Sequence, residues 1–420
     1  MSTSIENSNY NSKHNLNKTS LYVYKVNTFW LIGALPDLLK WRESGYKKII
    51  FEYIQKILTV CIFIFVAMEV GSFFTQNNLS VKQAGDMKIL AFSHPIFASY
   101  RFVIGYHKEK VKSLLYKLCI KMKNVYNDPE VERQMIKKST IYSVAFLLNL
   151  MNALVSYGLE ALVQCASLTR TWPVFNIFAG GTFVTVVTAW PDVTDKCISA
   201  SIGRVIGYFM WWVCMTRVAA VLILIIITTG CLAYQFKNLQ SYFYSLNNIF
   251  AKQSISETDQ ENAEQKYEEA LKVGIQLHID TLWCTRQVQV VCSFVYSAQI
   301  TINVFVMTIQ MLQMMSTNRT LGMAFTIVLT STCLLFSTGV LMWNAGDVTV
   351  EAALVPTAMY SSGWQNCRGK SSQRVRKLLV IAMGQAQVML KFVYTIKITF
   401  ERILVSLLAN TQTYKPISYQ

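Results

Sequence analysis

Long apolar segments alternate with polar, often basic stretches along most of the chain. About 20 mostly apolar residues are needed to cross the hydrocarbon layer of a bilayer as a helix. Seven segments meet this need, at 50–74, 87–106, 139–164, 202–236, 288–315, 321–344 and from 375 to the end. The second is the weakest, because His94, Pro95 and Arg101 interrupt it. The pattern therefore predicts an all-α membrane protein with seven spans.

The composition agrees with this pattern. Hydrophobic residues make up 53% of the 420 residues, charged residues only 15%, and the mean hydropathy is +0.32. A net charge of +16 would suggest a nucleic-acid partner in a soluble protein, but in a membrane protein it is the distribution of Lys and Arg among the connections that matters. We therefore expect the lipid bilayer, and no nucleic acid, as a partner.

The basic residues predict the orientation. The region before the first span and the connections at 107–138, 237–286 and 344–377 hold most of the Lys and Arg. The connections on the other side hold only Lys82, Lys88, Arg170, Lys196, Arg319 and Lys415. Basic connections stay in the cytosol, and the polar first forty residues contain no cleavable signal peptide. We predict a cytosolic N-terminus and an extracellular C-terminus, which excludes a G-protein-coupled receptor.

These segments predict the domain organisation. The parts are a cytosolic N-terminal region at 1–49, spans one to four at 50–236, a cytosolic helical loop at 237–286, spans five and six at 287–344, a cytosolic loop with a short anchor helix at 345–391, and a last span at 392–420. In the 237–286 loop, apolar residues recur at helical spacing, at Ala263, Tyr267, Ala270, Leu271 and Ile275. We expect spans four and five to continue as helices and to pack with the anchor helix at 375–385.

The last span carries a polar stripe. Counting back from Gln420 in steps of three or four residues, one helix face holds Ile417, Thr413, Asn410 and Ser406. Such a face suits packing against neighbouring helices, and it also suits a water-filled pore with one apolar constriction. The stripe alone leaves both interpretations open.

Three stretches near the carboxyl end carry a family resemblance. They are AALVPTAMYSSGWQNC, RKLLVIAMGQAQ and the ending TYKPISYQ, whose pattern is T-Y-x5-Q. Together with the seven spans and the cytosolic N-terminus, they resemble insect odorant receptors. Lys415-Pro416 depart from the usually apolar ending of that family, and the second cytosolic loop is shorter than that of the shared odorant co-receptor.

The resemblance implies a function. It implies a tuning subunit that binds a small volatile odorant and forms a cation channel, as a heterotetramer with the co-receptor, in the plasma membrane of a sensory dendrite. The last helix of each subunit would line the central pore, with Ile417 as the constriction and Gln420 at the outer mouth. The resemblance implies neither a cofactor nor an enzyme.

The family keeps its odorant pocket in the outer half of the membrane, between spans two and six. The residues of this sequence at that level are mostly apolar or aromatic, with a few polar groups, as a volatile ligand requires. They are Phe92, His94, Phe97, Asn152, Ser156, Tyr157, Glu160, Tyr208, Met210, Trp211, Cys214, Met307, Met311, Phe325 and Leu329.

Three of the ionisable residues within the predicted spans give specific expectations. Glu69 and Glu160, near the outer ends of their spans, are expected to reach water, whereas Arg217 lies deep in span four and suits either a structural pair or a pocket contact.

Cys165 and Cys197 border the predicted outer loop at 167–201 and are the one plausible disulfide. Asn78 begins a glycosylation sequon on the same side. The scattered histidines and the lack of a C-x-x-C pair argue against a metal site.

Three alternative functions are weighed at this level. A gustatory receptor channel would have the same architecture. A membrane transporter would show a repeat between its halves, and none is visible. A membrane-embedded acyltransferase would need a catalytic histidine. His94 is the candidate, but no Asp or Asn lies at a spacing from it that would indicate a catalytic pair.

Overall fold

The structure, a computed structural model, is entirely helical over the residues that it describes. These are residues 17–29, 46–76, 79, 81–169, 197–251, 257–315, 321–369 and 371–385. The longer helices are α1 (Lys18–Phe29), α2 (Tyr46–Thr75), α3 (Val81–Tyr106), α4 (Lys108–Tyr116), α6 (Pro129–Thr169), α7 (Ile198–Leu246), α9 (Glu257–Met314), α10 (Leu321–Tyr360) and α11 (Ser371–Gln385). Two single turns, α5 (Met122–Val125) and α8 (Asn248–Ala251), join them.

Within these ranges, five helices are long and apolar enough to cross a membrane. The segments are Tyr53–Thr75, Pro129–Leu159, Ile198–Phe250, Asp259–Met314 and Ala324–Asn366, and they overlap the predicted spans one, three, four, five and six. The predicted second span forms the single helix α3, but Asp86, Lys88 and Arg101 lower its hydropathy. The predicted seventh span lies outside the described residues.

Helix α7 lies at the centre of the molecule. It contacts α2, α3, α6, α9 and α10, and its interface with α10 is the most extensive. Residues 217–233 are buried without interruption. Apart from Arg217, Thr228 and Thr229, this stretch is apolar on every face, which is typical of a helix surrounded by other helices. The neighbouring helices each bury one side against α7 and leave the other exposed.

The helices α7, α9 and α10 extend well beyond the apolar segments. Their ends at 237–246, 257–286 and 345–360, together with α11, form what we call the distal bundle. Ala263, Tyr267 and Leu271 on α9 are fully buried there, which confirms the helical spacing seen in the sequence. Helix α11 packs against α9 and α10. The carboxylate of Glu264 accepts hydrogen bonds from the backbone N–H groups of Arg368 and Gly369.

The segment after α3, which the sequence indicated only as a basic connection, is also helical and packed. It comprises α4, a π-helical turn at Lys117–Lys121 and α5. Leu114, Leu118 and Met122 are almost fully buried, whereas Lys110 and Lys121 of the same segment are exposed. A π-helical turn holds one residue more than an α-helical turn, and it keeps the apolar residues on both sides of it on the packed face.

Asp128 connects this segment to α6 and α7. Its side chain accepts hydrogen bonds from the backbone N–H groups of Glu130 (2.9 Å) and Val131 (3.4 Å), so it is the N-cap of α6, with Pro129 as the first helical residue. Ser241 of α7 donates to its other oxygen at 2.6 Å. This hydrogen bond is the main reason why the pKa of Asp128 lies below its usual value. The start of α6 is thereby fixed to the distal bundle.

The distal bundle contains a turn that requires glycine. Gly363, between α10 and α11, has a φ of 92°, in the left-handed region that favours glycine. A Cβ atom at this position would lie 2.7 Å from Oδ1 of Asn247 and 3.1 Å from its Cα. Both the backbone conformation and the contact with the end of α7 therefore exclude a side chain.

We predict that Gly363→Ala lowers the free energy of unfolding by about 1–2 kcal/mol, since alanine is strained at positive φ. Gly346→Ala is the matched control: Gly346 lies within α10, and nothing lies within 4 Å of its Cβ position. Alanine there should stabilise the protein by up to about 1 kcal/mol through helix propensity. Thermal unfolding of the detergent-purified protein measures both. Equal shifts in the same direction would contradict the turn geometry.

Candidate ligand-binding site

A chain of polar contacts joins three helices within the apolar part of the molecule. Nε1 of Trp211 on α7 donates a hydrogen bond to Nε2 of His94 on α3, at 3.1 Å. Nδ1 of the same imidazole is hydrogen-bonded to Oε2 of Glu69 on α2. All three side chains are at least nine-tenths buried. Polar groups at membrane depth are costly unless paired, and here each one has a partner on another helix.

The contacts determine which nitrogen of His94 carries the proton. An indole N–H can only donate, so Nε2 of His94 must be the acceptor and is unprotonated. Nδ1 then carries the hydrogen and donates it to the Glu69 carboxylate, which orients the ring.

Trp211 extends this network to two further helices. Tyr157 of α6 packs edge-on against the Trp211 ring, with the ring centroids 5.6 Å apart. The ring centroid of Tyr208 on α7 lies 6.0 Å from that of Trp211. Thr330 of α10 donates to the hydroxyl of Tyr157 at 3.1 Å. We call Glu69, His94, Tyr157, Tyr208 and Trp211 the aromatic centre. Side chains from α2, α3, α6, α7 and α10 therefore meet at one level.

A glycine allows α6 and α7 to approach each other at the aromatic centre. A Cβ atom on Gly158 would lie 2.4 Å from the hydroxyl of Tyr208. That hydroxyl donates to the backbone carbonyl of Leu154 at 2.8 Å. Close approach through a small residue is common where membrane helices pack, and it holds Tyr208 beside Trp211.

The structure brings together several of the residues predicted to bind ligand. His94, Tyr157, Tyr208 and Trp211 belong to the aromatic centre, and the ring of Phe97 lies 6.3 Å from His94, between ring centroids. The remaining predicted residues lie elsewhere. Ser156 is buried and donates to the carbonyl of Ala153, within its own helix. Phe92 instead stacks on Phe305 of α9, with ring centroids 3.9 Å apart.

The other predicted residues are not part of the aromatic centre. Asn152, Met311 and Phe325 are exposed on the outside of the single chain, and Met210, Met307 and Leu329 are half-buried. Cys214 is buried one helical turn from Trp211. The side chain of Glu160 lies outside the described residues, as do Asn78 and the predicted pore residues Ser406, Asn410, Thr413, Ile417 and Gln420.

One prediction about a polar residue can be compared with the structure. The expectation that Glu69 reaches water is wrong, because this side chain is 3% exposed and pairs with His94. The sequence places Glu69 and His94 at the same membrane depth on neighbouring spans, and this could have indicated that they pair. No sequence signal indicated Thr330 as the partner of Tyr157. The pairing of Cys165 with Cys197 stays a prediction, because the Cys165 side chain is not among those described.

A separate cavity of about 440 Å³ lies between α2, α3 and α7. Its walls are largely apolar, and Phe97 and Cys214 from the predicted set contribute to them. Arg101 of α3 and Arg217 of α7 also line it. Arg217 donates to Oε1 of Gln55 at 2.7 Å and to the hydroxyl of Thr59 at 3.3 Å. Arg217 thus makes structural pairs with α2 and also faces a cavity.

Metal ligands do not cluster in the part of the chain that is described. Searching those residues gives no group of three or more His, Cys, Asp or Glu side chains that could hold an ion. What the aromatic centre offers instead is apolar ring surface with a few fixed hydrogen-bonding groups, which suits an uncharged small molecule.

Comparison with known proteins gives a family and a fold. The family model described as 7tm Odorant receptor matches residues 91–408. Among solved structures, the fold is similar to the insect olfactory receptor OR5 from Machilis hrabei, with a TM-score of 0.67 and 12% identity over 92% of this chain and 97% of that chain. The same receptor in complex with eugenol also has a TM-score of 0.67, at 12% identity over 93% and 98% of the two chains. No curated protein matches the sequence.

The hydrogen bond from Trp211 to His94 can be tested by stability. Trp211→Phe keeps an aromatic ring but leaves Nε2 of His94 buried without a donor, which should cost about 1–3 kcal/mol. Trp343→Phe on α10 is the control, since Trp343 is 68% exposed and its replacement should change little. Thermal unfolding in detergent compares the two. If Trp211→Phe is as stable as the control, the indole N–H does not satisfy His94.

Proposed function

Since the chain belongs to the 7tm odorant receptor family, whose model matches most of its length, we propose that it is a tuning subunit of an odorant-gated cation channel. Membership makes it a multi-pass membrane protein and a receptor, not an enzyme. It also favours an odorant receptor over the gustatory receptor and the transporter considered from the sequence. The finer steps below, from ligand to pore, are our proposal.

We place the ligand at the aromatic centre, in the half of the membrane that the predicted topology makes extracellular. The observation that supports this choice is the position of Trp211, which contacts His94 of α3, Tyr157 of α6 and Tyr208 of its own helix. A small volatile molecule can use the ring faces for apolar contact and the Tyr157 hydroxyl for one oriented hydrogen bond. The OR5 structure in complex with eugenol supports the same ligand class.

The signal would pass through continuous helices. Helices α7 and α10 share the most extensive interface and run from the level of the aromatic centre into the distal bundle. Helix α11 packs on α9 and α10 there and leads in sequence to the predicted last span. A ligand that binds better to one arrangement of α6, α7 and α10 would shift the equilibrium towards that arrangement.

We propose the remaining features as the sequence predicts them. The N-terminus lies in the cytosol, and the C-terminus is extracellular. Four subunits, some of them the shared co-receptor, surround a pore lined by residues 392–420, in the plasma membrane of a sensory dendrite. The polar stripe of the last span would form the water-filled path for cations, and Ile417 its apolar constriction.

We predict that Tyr157→Phe raises the half-maximal concentration of an activating odorant that carries a hydroxyl or carbonyl by about fivefold to tenfold, since one hydrogen bond is lost. Met210→Ala should also change potency, by altering an apolar wall. The matched control is Tyr53→Phe, at a tyrosine that is 67% exposed on α2. Currents are recorded with the co-receptor, using an odorant panel that includes eugenol.

An agonist that acts on the co-receptor alone gives the reference for this experiment. Currents evoked by it should be unchanged in Tyr157→Phe and Met210→Ala. If both responses fall together, these positions support folding or assembly, and the ligand binds elsewhere.

The pore proposal yields a separate prediction. Ile417→Ser should wet the closed constriction and increase the current without odorant. Gln420→Glu should change the relative permeability of cations while leaving odorant potency unchanged, because a charge at the mouth acts on passing ions. Co-receptor subunits would dilute both effects. If neither leak nor permeability changes, and Pro416→Ala abolishes surface expression, the polar stripe packs against protein.

A further inference from the structure

The cavity between α2, α3 and α7 is lined almost entirely by apolar side chains. Its volume of about 440 Å³ lies in the range of sites that hold small molecules. Along α3, its lining residues run from Phe97 to Tyr106, which is about 13.5 Å at a rise of about 1.5 Å per residue. Phe102 also lines it and is 55% exposed. The cavity therefore extends along the helices and opens on the outside of the single chain, where it can receive an apolar molecule from the bilayer.

Arg217 is a polar side chain in the middle of this apolar lining. On its own helix, Cys214 lines the cavity one turn before it, and Val221 lines it one turn after it. Arg217 is 4% exposed and lies deep in the predicted fourth span, so it is far from the level of lipid head groups. A group that binds to Arg217 from the cavity must therefore have apolar wall on both sides of it.

The guanidinium group of Arg217 has N–H groups that its neighbours do not use. A guanidinium carries five N–H groups. Arg217 makes three hydrogen bonds, to the backbone oxygen of Gln55 at 3.5 Å, to Oε1 of the same residue at 2.7 Å and to the hydroxyl of Thr59 at 3.3 Å. At least two N–H groups, including the one at Nε, thus have no acceptor among the described residues. A buried donor without an acceptor is costly, so an acceptor in the cavity would stabilise this arrangement.

The lining also limits the charge of a ligand. Arg101 lines the cavity together with Arg217, and no Asp or Glu is among its described lining residues. A protonated amine would therefore meet only positive side chains in the cavity wall. A carboxylate would have to lose its hydration in the middle of the span, a cost that often offsets the attraction within a buried ion pair. An uncharged acceptor avoids both costs.

We propose that the cavity binds an uncharged molecule with a carbonyl group within a hydrocarbon chain, such as an aliphatic ketone or ester. The carbonyl oxygen would accept a hydrogen bond from the Arg217 guanidinium, and a charged donor makes such a bond stronger. The two parts of the chain would lie along the apolar wall on either side of Arg217. This site is separate from the odorant site proposed above, although Phe97 lines the cavity and lies beside His94 of the aromatic centre.

Photoaffinity labelling of the full-length chain in phosphatidylcholine nanodiscs tests the ligand class. The probe is a dihexyl ketone that carries a diazirine at one end of its chain, and mass spectrometry locates the labelled residues. The competitors have equal chain length: dihexyl ketone, tridecane without an acceptor, methyl undecanoate with its carbonyl near one end, and dihexylamine with a positive charge. We expect labels on residues that line the cavity, and half-maximal competition by dihexyl ketone at about tenfold lower concentration than by the other three.

A further competitor, dioleoylglycerol, identifies the source of the ligand. It is an uncharged ester that belongs to the bilayer, whereas dihexyl ketone is a small molecule. Competition by dihexyl ketone alone supports a small ketone or ester as the occupant. Equal competition by dioleoylglycerol supports a neutral lipid with the same carbonyl chemistry.

Variants identify the cavity as the place of binding. Arg217→Met should remove the advantage of dihexyl ketone over tridecane, because the apolar wall remains while the donor is lost. Gly105→Leu should largely abolish labelling by steric exclusion, with Arg217 intact. Gly105 lines the cavity, and nothing lies within 4 Å of its Cβ position. Gly71→Leu is the matched control, because Gly71 is equally unobstructed but is not among the residues that line the cavity.

The competition series and the two glycine variants keep the test decisive if Arg217→Met does not fold. The proposal is overturned if tridecane, methyl undecanoate or dihexylamine competes as well as dihexyl ketone. It is also overturned if Gly105→Leu and Gly71→Leu are labelled equally, or if folded Arg217→Met keeps the preference for the ketone. None of these measurements depends on channel activity, so failure of the odorant proposal would leave them interpretable.

Discussion

The burial of α7 is the constraint on which the rest of the structure depends. Residues 217–233 are apolar on nearly every side and need neighbours all round, and α2, α3, α6, α9 and α10 provide them. Each of these helices needs only one apolar face towards α7, so their other faces are free to meet lipid or further subunits. The aromatic centre and the arginine-lined cavity both lie along α7 for this reason.

Apolar packing alone would leave the rotation of each helix poorly determined, and the buried polar pairs fix it. Glu69 with His94 connects α2 to α3, and Asn344 of α10 donates to the hydroxyl of Thr229 on α7 at 2.6 Å. In a low-dielectric interior, an unpaired polar group is costly. Rotating a helix by one residue would separate such a pair. These hydrogen bonds therefore fix the rotation of each helix relative to its neighbour.

The sequence indicated the helices far better than the contacts between them. Apolar length predicted five of the described spans, because the thickness of the bilayer sets a length that can be counted. The spacing of Ala263, Tyr267 and Leu271 predicted a buried helix face in the same way. By contrast, the partner of Tyr157 is a threonine 173 residues away, and no local pattern encodes such a pair. The basic segment after α3 was misleading, since its lysines concealed a packed apolar face.

The π-helical turn at Lys117–Lys121 makes chain length in this segment as important as residue type. It carries one residue more than a regular α-helix would, and it lies between the buried Leu114 and the buried Met122. Losing one residue there would restore ordinary α-helix and rotate everything that follows by about 100°. Met122 would turn away from the core, and the cap at Asp128 would lose its position on Ser241. Divergent relatives of this chain should therefore vary freely in the outward lysines but keep the number of residues between α3 and α6.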